Sequence, residues 1–75
     1  MWRVVIHNDQ LNSLAVVAHL LHTLCAMALP DAVQLAAMVH YRTSAEVAEF
    51  PSQGEAEQLV VAFQRHGLDA SVRHG

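Results

Sequence analysis

Hydrophobic and polar positions change period several times along this chain, and each change marks an element. From Trp2 to His7 the residues alternate, with Trp2, Val4 and Ile6 on one face and Arg3, Val5 and His7 on the other; period two with β-branched residues predicts a first strand. From Asn12 the apolar positions Leu14, Val17, Leu21, Leu24 and Ala28 recur at helical spacing, while Ala15, His19, His22 and Ala26 mark the polar face. This predicts a helix of about four turns. Pro30 interrupts it and fits the first turn of a second helix, with Asp31 beside it at the positive end of the dipole. That helix is expected to run to about His40. Tyr41 to Phe50 reads as a strand that Pro51 ends, with Thr43, Val47 and Phe50 as its strand formers and Glu46 and Glu49 toward solvent. Ser52-Gln53-Gly54-Glu55 has the form of a capping box opening a third helix, whose buried stripe is Ala56, Leu59, Val60 and Phe63. Gly67 stands where a left-handed helix end is wanted, and Leu68, Ala70 and Val72 alternate with polar residues as a last strand. The order β-α-α-β-α-β predicts a single α+β domain over residues 1–75, three helices packed on one face of a three-stranded antiparallel sheet.

Composition narrows the function. A chain of 75 residues buries only about 60% of its unfolded surface. With one cysteine it has neither an internal disulfide nor a C-x-x-C metal knuckle, so packing must hold it and a reducing, cytoplasmic setting is expected. The formal charge is −3, and four arginines with no lysine leave no basic stripe, which excludes nucleic acid as an expected partner. The apolar segment Leu14 to Leu29 is too short to span a membrane and carries His19 and His22.

The candidate chemistry starts at the polar stretch His7-Asn8-Asp9-Gln10-Leu11-Asn12, between the first strand and the first helix. Asn and Asp in such a turn gather acceptors into a small volume, and with no lysine nearby they suit a cation. Taken alone, the same residues more often form an Asx turn with Asn12 capping the helix, since caps are far commoner than sites. Near the other end of the chain's first half, Met38-Val39-His40-Tyr41 puts an imidazole where the second helix finishes. His19 and His22, three apart, could share a metal ion, but no third ligand is evident, and Cys25 in the thick of an apolar segment is no nucleophile. No cofactor and no enzymatic activity are expected.

With those two motifs at this separation, the chain resembles the ClpS family over nearly its whole length. These are adaptors that bind the first residue of N-degron substrates and hand them to a Clp-type AAA+ unfoldase. The resemblance implies that Asn8 and His40 hydrogen-bond the substrate's free α-amino group, with Asp9 adding negative potential. It implies a hydrophobic pocket lined by Asn12, Leu14, Val17, Ala36, Val39 and Leu68, for an N-terminal Phe, Tyr, Trp or Leu. Four departures stand out: Gln10 where the family is often acidic, Leu14 and Ala36 at frequent methionine positions, and Thr43 at a usual glycine. Only Met1 precedes the strand that starts at Trp2, short of the extension the family uses for delivery, so a stand-alone or engineered recogniser is the alternative. The same element order also resembles the docking domain of the ribosomal stalk protein, whose lysine-rich surface this chain lacks.

Overall fold

Val4 and Ile6 are fully buried at the centre of the molecule, and the strand that carries them organises everything else. The computed structural model describes residues 1–9 and 12–75. Its elements are β1 (Trp2–His7), α1 (Leu14–Leu24), α2 (Leu29–Arg42), β2 (Ser44–Phe50), α3 (Gln53–Arg65) and β3 (Ala70–His74). β1 lies between its neighbours in the sheet order β2-β1-β3, and both pairings are antiparallel. The helices cover the face that presents Val4 and Ile6, where these two pack with Leu21, Val39, Phe63 and Leu68. At the far end of the sheet the Trp2 and His74 rings stack with centroids 4.2 Å apart.

The element order and sheet are those predicted, and the departures have local causes. Val5, assigned by alternation to the outward face, is only 4% exposed. It sits on the central strand between Glu46 and Ser71, and flanking chains cover it from both sides. Val4 pairs with Ala48 but Val5 with Glu46, so Val47 is the extra residue of a β-bulge. The predicted four-turn first helix is shorter, because Ala26 adopts φ 52° and turns the chain before Ala28, which becomes the residue preceding α2. Its cap is Ser13, whose Oγ accepts from the Val16 N–H at 3.2 Å, and not Asn12. At Ser52 the hydroxyl oxygen accepts the Glu55 N–H at 3.3 Å as a capping box requires, while the Glu55 carboxylate takes the serine hydroxyl at 3.0 Å. Gly67 has φ 79°, the left-handed turn anticipated for it.

The second helix outruns its predicted end at His40 and takes in Tyr41 and Arg42 before β2 begins at Ser44. It stops at Thr43, whose φ is 75° and whose N–H donates to the Val39 carbonyl at 3.0 Å. A β-branched residue in the left-handed region is strained, at a cost of about 1–3 kcal/mol. Thr43→Gly is therefore expected to stabilise the domain by about 0.5–1 kcal/mol, after allowing for the entropy glycine gains when unfolded. In a thermal melt this reads as a rise of about 3–8 °C; a lower melting temperature would show that the Thr43 side chain is held by something stronger than its strain.

Candidate functional site

Two of the predicted site segments meet through a backbone hydrogen bond. The Asn8 N–H donates to the Thr43 carbonyl at 2.7 Å, and the preceding His7 N–H donates to the Asp69 carbonyl at 3.0 Å. The turn that leaves β1 is thus fastened on one side to the C-terminus of α2 and on the other to the loop entering β3. His40 lies in the last turn of α2, three residues before Thr43. A helical turn rises about 5.4 Å, so the backbone at His40 lies about one turn from the Thr43 carbonyl that meets Asn8, and the two segments form one rim. Both are exposed. The His40 ring meets Tyr41 edge-on, centroids 5.2 Å apart at 83°.

Asp9 is half-buried and does not hang free beside Asn8. Its Oδ1 accepts the Asn12 backbone N–H at 2.8 Å, and the Asn12 amide nitrogen lies 3.0 and 2.9 Å from its two carboxylate oxygens. That same amide donates to the Gly67 carbonyl at 2.9 Å. Gln10 and Leu11 lie outside the described residues. The side chains carried by these segments include acceptors: a carboxylate held in place, an asparagine amide and an imidazole. No lysine or arginine stands among these residues. Such a set suits a group that donates hydrogen bonds and carries positive charge.

Below the rim, the predicted pocket residues Val17, Ala36, Val39 and Leu68 belong to one apolar cluster, against which half-buried Leu14 packs. The most exposed of the four, Val17, shows 6% of its surface, whereas Asn12 and Leu14 are half-buried. Two surface cavities share no residue with this rim. One of about 440 Å³ lies between the end of α1, β2 and Leu59, and one of about 380 Å³ lies on the outer face of α3 around Glu57, Val61 and Arg65.

Other chemistry-bearing residues are engaged in structure. His22 donates from Nδ1 to the Met27 carbonyl at 2.7 Å, helping to fix the α1–α2 turn, and His7 Nε2 pairs with Ser71 Oγ at 2.9 Å. Burial pushes the Cys25 thiol upward from its ordinary pKa, which keeps it protonated at neutral pH. Among the described residues no group of three or more His, Cys, Asp or Glu side chains could hold a metal ion, and no helix is long and apolar enough to cross a membrane. The exposed Arg3–Glu46 pair at 3.5 Å is screened by solvent and contributes little.

Reading from sequence alone did not find Thr43 and Gly67 as the carbonyls that anchor the site. The spacing Asp9-x-x-Asn12 was a signal for the carboxylate clamp, since a short acidic side chain readily accepts from the backbone N–H three residues on. Nothing local signals Gly67 as a partner of Asn12, 55 residues away.

The family model of the ATP-dependent Clp protease adaptor protein ClpS matches residues 1–71. No curated protein sequence matches the chain. Among solved structures, that of Agrobacterium tumefaciens ClpS2 bound to L-phenylalaninamide superposes with a TM-score of 0.89, covering 96% of this chain and 93% of that one at 18% identity. At that identity the likeness establishes a common fold. Since the family model takes in almost every residue and the same β-α-α-β-α-β fold is shared with a ClpS2 structure, the chain belongs to the ClpS family of ATP-dependent Clp protease adaptors.

Proposed function

We propose that this domain is a cytoplasmic adaptor that grips the first residue of a substrate protein and passes it to a Clp-type AAA+ unfoldase. Asn8 and His40 accept hydrogen bonds from the free α-ammonium, and the Asp9 carboxylate supplies negative potential. The side chain of an N-terminal Phe, Tyr, Trp or Leu enters between Asn12 and Leu14 and packs on Val17, Ala36, Val39 and Leu68. The observation that supports this most is the bond from the Asn8 N–H to the Thr43 carbonyl, which fastens the polar turn to the helix end that bears His40. The ligand of the ClpS2 structure, L-phenylalaninamide, has the same two parts, a free α-amine and a bulky aromatic side chain.

An α-amino group has a pKa near 8, so at neutral pH it is mostly a cation with three protons to donate. Charge-assisted hydrogen bonds contribute about 1.5–3 kcal/mol each, and burial of a Leu or Phe side chain about as much again. After the entropy of association, Kd values of about 1–100 μM follow. Ala36 is small and 1% exposed; in this reading it narrows the floor of the side-chain site less than a methionine would, so aromatic first residues should fit at least as well as leucine. Fluorescence anisotropy with peptides differing only at the first residue tests both points. Phe, Tyr or Trp is expected to match or exceed Leu, with Gly and Asp far weaker. Leu binding more tightly than all three aromatics would refute the roomy floor, and affinity indifferent to the first residue would refute the function.

A further inference from the structure

Asn12, assigned by family resemblance to the hydrophobic lining, is also held by hydrogen bonds in the structure. Its amide nitrogen faces the two oxygens of Asp9 at 3.0 and 2.9 Å and the Gly67 carbonyl at 2.9 Å. All of these are acceptors, so the amide can be oriented only one way, and its two hydrogens serve the carboxylate and the carbonyl. The Asn12 backbone N–H adds a further bond to Asp9 at 2.8 Å. One side chain thereby links the turn after β1 to the loop before β3. Gly67 is directly followed by Leu68, 1% exposed in the core with Val17, Ala36 and Val39.

A carboxylate that rotates freely spreads its potential over several rotamers, whereas one held at both oxygens keeps its charge at a single place. We infer that Asn12 is a positioning residue for amine recognition: it fixes the Asp9 carboxylate beside Asn8 and ties that turn to the backbone carrying Leu68. The amine-binding and side-chain-binding parts of the site are then held at one separation. This rests on the function proposed above and deepens it.

Calorimetric titration with L-phenylalaninamide, at temperatures well below each variant's melting point, tests the inference on wild type, Asn12→Ala, Asp9→Ala and the double variant. Asn12→Ala is expected to weaken binding about tenfold, and the double variant to lose clearly less than the product of the two single losses, because Asn12 acts in part through Asp9. A residue with a purely structural role would lower the melting temperature and leave affinity unchanged below it. Should Asn12→Ala not fold, Asn12→Ser, which keeps one short donor but cannot serve both acceptors, is expected to lose about threefold or more. Unchanged affinity in the folded variant, or losses that simply multiply in the double variant, overturns the inference while leaving the proposed function standing. If the wild-type domain does not bind the probe, both fall together.

Discussion

Phe63→Ala is expected to lower the urea midpoint of unfolding by about 3 M, the largest effect of any single substitution in the core. Phe63 is the largest fully buried side chain, and it packs from α3 into the cluster that contains Val4, Ile6 and Leu68. Truncating a buried phenylalanine costs about 3–5 kcal/mol through lost transfer energy and the cavity left behind. A domain of 75 residues has roughly 4–11 kcal/mol of stability in total, and its one cysteine is free. Nothing covalent absorbs the loss. Urea denaturation followed by far-UV circular dichroism measures it; a midpoint within about 0.5 M of wild type would mean that the helices do not depend on this contact for their hold on the sheet.

His40→Ala, and separately Asn8→Ala, are expected to weaken binding of a peptide with N-terminal Phe about 10- to 100-fold, each removing one charge-assisted hydrogen bond to the ammonium. Both side chains are exposed, so melting temperatures should stay within about 2 °C of wild type. That separation of effects is the useful signature, because a core substitution such as Phe63→Ala moves stability first. The double variant should bind more weakly than either alone. An anisotropy titration in which His40→Ala binds as tightly as wild type would remove the imidazole from the site and leave the turn without its partner on α2.

Much of this could be read from residue order. Alternation in Trp2–His7, the Ser52 capping pattern and the glycine at position 67 each specify local geometry through nearest-neighbour sterics and hydrogen bonding, and all three are present. The elements that were misjudged are those where tertiary demands override the local pattern. Apolar periodicity runs on through Ala28, but the return to α2 forces Ala26 into a left-handed turn. Tyr41 and Arg42 look strand-like and are helical, because the chain turns only at Thr43, where it must offer a carbonyl to Asn8. Val5 is polar-faced by its period and buried by its place on the central strand.

The candidate site was legible as two motifs but not as an arrangement. Asn8 and His40 stand out as acceptors in an Asx-type turn and at a helix end, but their joint role comes from the resemblance to the ClpS family. The approach of their two segments depends on a backbone bond between residues 8 and 43, and the turn is further tied by the clamp from Asn12 to Gly67; no local period encodes either. The same limit explains Asn12, a polar side chain that resemblance placed in an apolar lining and whose hydrogen bonds also link two segments.

The most direct measurement compares two peptides that differ in a single acetyl group. A peptide beginning with Phe is titrated as its free amine and as its N-acetyl derivative against the wild-type domain. Acetylation removes the positive charge and two of the donors, leaving Asn8, His40 and the clamped Asp9 carboxylate facing a neutral amide. Binding of the free amine at micromolar Kd and a loss of about 100-fold or more on acetylation are predicted. Equal affinity for the two peptides would contradict the claim that this rim of acceptors exists to hold a cationic chain start.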